Sequence, residues 1–158
     1  MTKTLKIAPV NKSIVVNVPQ AKAFDVFTGR LDAWWPKSHN IGAAPLVQSI
    51  IEPRLGGRWY SKHEDGSETV TGIMKVWEPP KRIVFSWDIN AQWQPDTTVG
   101  SEVEVNFIAE GPSKTRVELQ HRGFEALGEA GQTMRDGVDS AGGWGTLLEG
   151  MKAEAEAA

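Results

Sequence analysis

The stretch Gly143-Trp144-Gly145-Thr146-Leu147-Leu148-Glu149-Gly150-Met151-Lys152-Ala153-Glu154-Ala155 decides the fold. Trp144, Leu147, Leu148, Met151 and Ala155 recur at i, i+3, i+4, i+7 and i+11, while Glu149, Lys152, Glu154 and Glu156 fall elsewhere. One apolar stripe on an otherwise polar helix results, and the spacing predicts a helix over roughly Ala141 to Ala155. Such a helix needs an apolar surface to cover its stripe, and a sheet with one apolar face supplies it.

That sheet is legible upstream. From about Val47 to Arg122 the pattern is β, punctuated by the turn signals Asp65-Gly66, Pro79-Pro80 and Gly111-Pro112. Ile83, Phe85, Trp87 and Ile89 share one parity. Val103, Val105 and Phe107 alternate with Glu102, Glu104 and Asn106, and Val117 and Leu119 with Arg116, Glu118 and Gln120. Alternation of this kind gives each strand a wet face and a buried face, the habit of an antiparallel sheet joined by hairpins. Val70, Gly72, Met74 and Val76 fit a further strand less cleanly. Ahead of these, Ser13–Val18 reads as a strand. Pro19 opens a helix that Gly29 ends, with Phe24 and Phe27 inward, and Leu31, Trp34 and Trp35 extend the stripe into a second short turn stopped by Pro36. Between Gly123 and Gly143 the glycines at 128, 131 and 137 predict loop with a short helical turn.

Composition narrows the function. The chain has 158 residues, 17 basic and 20 acidic side chains, seven tryptophans against one tyrosine, and no cysteine. Disulfides, thiolate metal sites and cysteine nucleophiles are excluded. A net charge of -3 argues against the nucleic-acid backbone, which selects a clustered positive surface. No apolar run approaches bilayer-spanning length, and the start from Met1 to Val10 has lysines but no apolar leader core. The expectation is one cytoplasmic domain spanning residues 1–158, without membrane insertion.

Particular residues make this pattern similar to a known group. Glu52-Pro53-Arg54-Leu55-Gly56-Gly57-Arg58-Trp59 is followed by Gly72 and Trp77-Glu78-Pro79-Pro80-Lys81-Arg82-Ile83, then by Phe85-Ser86-Trp87, Thr115-Arg116-Val117-Glu118-Leu119-Gln120-His121 and Gly143-Trp144. Over residues 12 to 155 the chain resembles the START-like (SRPBCC) superfamily, and within it the branch named after the C-terminal domain of the activator of the heat-shock protein 90 ATPase. The resemblance implies an α+β helix-grip fold. A curved antiparallel sheet of about six or seven strands wraps around a long C-terminal helix, with two short helices after the first strand. It implies a cavity between sheet and helix that holds an apolar small molecule without covalent chemistry. A stand-alone chaperone-interaction protein is the alternative, although the chain has no room for the second domain of the co-chaperone. A small cyclase- or hydrolase-like enzyme is the third reading.

Ten residues are expected to line that cavity. Trp59, Met74, Phe85, Trp87 and Phe107 come from the sheet, as do Leu119 and His121, while Trp144, Leu148 and Met151 come from the last helix. His121 shares its parity with Val117 and Leu119. It is either a structural histidine satisfied by a backbone or hydroxyl partner or a polar handle for a ligand oxygen. Trp59, Trp87 and Trp144 could equally fill a close-packed core. Trp34 and Trp35 would close one end, and Trp93 sits in a loop. Asp88, on the parity opposite Trp87, is expected to face water, and Glu52 and Arg54 to form a local ion pair. His39, His63 and His121 have no partners at ligand spacing, so neither a metal nor another cofactor is expected. No Ser lies in a nucleophile-elbow motif and the inner face carries no carboxylate–histidine set, so no catalytic residue is assigned.

Overall fold

The computed structural model describes residues 7–37, 39, 42–90, 92–140 and 143–157. The elements run β1 (Val10–Val16), α1 (Gln20–Gly29), α2 (Leu31–Trp34), β2 (Leu46–Ile51), β3 (Arg58–His63), β4 (Glu68–Glu78), β5 (Arg82–Trp87), β6 (Ser101–Gly111) and β7 (Lys114–Arg122). A 3-10 turn (Phe124–Leu127), α3 (Ala130–Val138) and α4 (Trp144–Ala157) follow. All seven strands form one antiparallel sheet in the order β1-β7-β6-β5-β4-β3-β2. Every connection from β2 to β7 is a hairpin, and β1 crosses to the far edge to pair with β7. The sheet curls, and its concave face receives α4 and α1. This is the helix-grip fold. The expected helix start at Ala141 lies outside the described residues.

Alternation sets the two faces. Val103, Val105, Phe107, Val117 and Leu119 are buried, and their register (Val105 opposite Leu119, Phe107 opposite Val117) aligns them into one apolar surface. Opposite them the outer face carries a charge ladder. Glu104 accepts from Arg82 Nε and from Arg122 Nη1, each at 2.7 Å, and Glu102 accepts from Lys75 at 2.8 Å. The two guanidinium groups hold the Glu104 carboxyl well below its ordinary range, at about 2, with the hydrogen bond from Arg82 the main cause. α4 buries Trp144, Leu147, Leu148, Met151 and Ala155, the whole stripe. Its far end is fastened to β1, where Lys152 Nζ donates to the Val15 carbonyl at 2.8 Å.

Aromatic packing fills the middle of the grip. Phe24 and Phe27 of α1 meet Phe107 at 5.2 and 5.7 Å between ring centroids. Phe27 meets Trp59, and Trp59 lies 4.7 Å from Phe85. Edge-to-face packing of the phenylalanines, with Trp59 and Phe85 tilted at 45°, leaves a solid interior at this end.

Three expectations need correction. First, β4 carries two bulges, after Trp59/Tyr60 in its pairing with β3 and between Met74 and Val76 in its pairing with β5. Each bulge reverses the parity, so Thr69, Thr71 and Met74 are buried while Val70 and Val76 are only partly so. Second, the glycine-rich segment contains α3, nine residues long. Gly131 sits inside that helix because a Cβ there would lie 2.1 Å from the Phe124 carbonyl oxygen, so close approach, and not helix breaking, demands the glycine. Third, Asp88 is buried. The β5–β6 loop folds back over it, with Ile89 bridging Pro95 and Asp96 N–H donating to the Asp88 carbonyl at 2.8 Å. Burial pushes the Asp88 carboxyl up, opposed by a 3.0 Å hydrogen bond from Ser86 Oγ. Glu52 and Arg54 do pair, at 3.6 Å, but Glu52 is held more closely by Arg58, whose backbone N–H donates at 2.7 Å.

Candidate functional site

A cleft of about 370 Å³ opens at one end of the grip. Ser61 of β3, Thr71 of β4 and Trp87 of β5 form its sheet wall. Trp35, just past α2, closes one side. Val138 of α3 and Trp144 and Leu147 of α4 form the opposite wall, and Ile89 and Trp93 reach over from the β5–β6 loop. Its volume falls within the range of small-ligand sites, roughly 300–1,000 Å³. The indoles pack against each other at angles, Trp35 to Trp144 at 6.0 Å and Trp87 to Trp144 at 5.5 Å, so their positions are mutually fixed. Trp93 stands at the mouth, 43% exposed, with φ +58. It is the one non-glycine residue with positive φ among the described residues.

Two of the ten expected lining residues, Trp87 and Trp144, are on this cleft. Trp59, Met74, Phe85, Phe107, Leu119, Leu148 and Met151 are buried in the packed core instead. The tryptophan and phenylalanine rings of β3, β5, β6 and α1 fill the space that the sheet's curvature would otherwise leave there. The cleft moves to the end where those rings stop. Trp35 does close it. Trp34 packs on Phe27 at 5.1 Å and donates from Nε1 to the Val26 carbonyl.

His121 is fully buried behind the cleft wall. Trp144 Nε1–H donates to its Nδ1 at 3.0 Å, a partner that is neither backbone nor hydroxyl. Accepting at Nδ1 places the ring proton on Nε2 if the imidazole is neutral. Burial alone drives the His121 pKa down to about 3, so the ring is neutral at physiological pH. Trp87 and Phe124 flank it at 5.2 and 4.6 Å. His121 Nε2 and Trp87 Nε1 are both buried without a hydrogen-bond partner among the described residues.

Parity alone finds Ser61, which shares the concave side of β3 with Trp59 and His63. Thr71 escapes such a reading because the bulge sets its direction. Ile89 and Leu147 carry only the signal of an inward parity and a helical stripe, which does not separate cleft from core, and Val138 carries none beyond being apolar. Among the described residues no group of three or more metal-ligating side chains gathers. His39 is the single titratable side chain on the cleft among them.

The comparisons with known proteins agree with the fold. The family model described as Activator of Hsp90 ATPase homolog 1-like protein matches residues 17–156. The chain belongs to this family. Among solved structures it is similar to an anthrahydroquino-gamma-pyrone synthase, Txn09, complexed with SUM, with 36% identity, 94% of this chain and 97% of that one covered, and a TM-score of 0.64. It is also similar to the self-sacrificing resistance protein CalC from Micromonospora echinospora, at 28% identity over 94% of each chain and a TM-score of 0.67. A family member from Aeromonas hydrophila, 20% identical over 94% of this chain and 93% of that one with a TM-score of 0.57, shares the fold. No curated protein matches the sequence. No helix among the described residues is long and apolar enough to cross a membrane.

Proposed function

We propose that this chain binds an apolar small molecule in the cleft at the end of the grip, without covalent chemistry. The observation that carries the reading is the cleft itself, of small-ligand size and walled by Trp35, Trp87, Trp144, Ile89, Val138 and Leu147. Titration with the uncharged dye Nile red tests it. Binding should saturate at one dye per chain, and Leu147→Trp, which fills the cleft, should weaken it at least roughly fivefold. Dye binding indifferent to Leu147→Trp would place the dye on the outer surface and sink the proposal.

A second reading, a cyclase-type enzyme, is favoured by the 36% identity to a synthase. Against it stands the lining chemistry, since His39 is the one titratable side chain on the cleft among the described residues. Incubation with a linear poly-ketone substrate decides this, because aldol cyclisation with dehydration registers as loss of water in the product mass. Chaperone activation rests on family membership alone. Among the described residues the exposed large apolar side chains, Val47, Leu55 and Trp93, are spread over β2, the β2–β3 turn and the cleft mouth.

A further inference from the structure

We propose that the ligand is a flat ring system carrying hydroxyl or carbonyl oxygens along one edge, and that Ser61 and Thr71 read that edge. This rests on the binding reading above and specifies its chemistry.

The β4 bulge is the first observation. Trp59 pairs with Gly72 and Tyr60 with Val70, so Thr71 has no residue of its own opposite on β3. The extra residue keeps Thr71 on the concave side, where it lines the cleft with Ser61. Bulges re-aim side chains in this way, often beside functional sites. Next to the bulge, Gly72 lets the β5 backbone come close, since a Cβ there would sit 1.6 Å from the Ser86 carbonyl oxygen.

The second observation is how the other inward polar groups of this wall are used. Thr69 Oγ1 lies 2.7 Å from His63 Nε2, and His63 Nδ1 lies 3.1 Å from the Ala44 carbonyl oxygen. That pair is closed on itself, whereas Ser61 and Thr71 face the cleft. Trp87, on the same wall, brings a buried indole N–H with no partner among the described residues. A hydroxyl against an apolar ligand loses its hydration without return, so two on one wall oppose a plain hydrocarbon or acyl chain and favour a ligand with oxygens at that edge.

The remaining walls set the rest of the ligand. Indoles on three sides suit a planar ring face. Among the described residues the cleft carries no Lys or Arg, so an anionic headgroup finds no counter-charge and the oxygens are those of a neutral group.

The test compares anthracene with a dihydroxyanthraquinone, each titrated against the full chain by quenching of tryptophan emission. Two variants are used beside the wild type: Ser61→Ala with Thr71→Val, which nearly keeps shape and removes both hydroxyls, and Thr71→Ser alone, which keeps both hydroxyls and removes only a methyl group. The double variant should weaken the dihydroxyanthraquinone by roughly 5- to 50-fold, as expected for two hydrogen bonds, and should leave anthracene bound as tightly as in the wild type or tighter. Thr71→Ser should stay within about threefold of wild type for both. Equal weakening of both probes, or no weakening of the oxygenated one, overturns the proposal while leaving the binding reading intact. Saturable binding of neither probe overturns the binding reading itself and this inference with it.

Discussion

The indole of Trp144 donates a 3.0 Å hydrogen bond to Nδ1 of His121, tying the first turn of α4 to the end of β7. That contact makes one cleft wall and one core histidine a single unit. It also holds His121 in the state that cannot be charged without loss of the bond, since an imidazolium has donors at both nitrogens and no acceptor.

Acid should therefore destabilise the fold through His121. Its pKa is about 3 when folded and near 6.5 when unfolded. Above pH 6.5 neither state binds the proton and the group contributes nothing to pH dependence. Below it the unfolded chain takes up a proton that the folded chain refuses, so stability falls as pH drops toward 3. Between pH 6.5 and 5 the loss should be about 2 kcal/mol. His121→Gln offers the Trp144 N–H an acceptor that does not titrate. Urea unfolding at the two pH values should show most of that loss gone in the variant, and an unchanged loss would assign it elsewhere.

The two adjacent leucines of α4 should behave differently. Leu148 is 1% exposed within the core, whereas Leu147 lines the cleft. Leu148→Glu places a charge where no partner can reach it and should lower stability by about 3 kcal/mol or more. Leu147→Glu can reach water through the cleft and should lose less. Melting temperatures of the two variants check the order, and equal losses would mean that the cleft is closed to solvent.

The register-bearing parts of this fold were legible from residue type alone. Val103, Val105 and Phe107 alternate with Glu102, Glu104 and Asn106, and nothing else satisfies both sets at once. Trp144 to Ala155 is equally unambiguous, because a stripe at helical spacing has no use on a strand. What escaped reading were features in which one element acts on another. Asp88 looks wet by parity, but the β5–β6 loop covers it. Gly131 looks like a helix breaker, but the nearby Phe124 carbonyl requires the absence of a Cβ. The position of the cleft escapes the sequence as well, because parity shows that Trp59, Phe85 and Phe107 face inward without showing that these rings pack with Phe24 and Phe27 and fill the space between.

Gly72→Ala tests the close approach of β4 and β5 beside the bulge. The new Cβ would lie 1.6 Å from a backbone oxygen of β5, which cannot swing aside as a side chain can. The strands would have to part, and a loss of about 3 kcal/mol, at the upper end of overpacking effects, is expected in the denaturant midpoint. Wild-type stability in this variant would show that β4 and β5 part here without cost, and that the close approach at Gly72 does not hold Thr71 in place on the cleft.

The opposite sign is expected at Gly137. It lies in the last turn of α3, where Ala is preferred over Gly by up to about 1 kcal/mol. A Cβ there would come within 3.1 Å of Trp93 Cζ2, but that ring is half in solvent and can yield by a few tenths of an ångström. Gly137→Ala should therefore stabilise by about 0.5 kcal/mol and turn Trp93 outward, with a red shift in tryptophan emission. Trp93→Gly relieves the left-handed backbone at 93, which costs a non-glycine residue about 1 kcal/mol, and also removes the ring that the new methyl would meet. The gain from Gly137→Ala should consequently be larger in the Trp93→Gly background than in the wild type. Urea unfolding of the two single variants and the double variant measures that coupling. Strict additivity would mean that the ring and the helix do not press on each other, and that Trp93 is held at the mouth by its own loop alone.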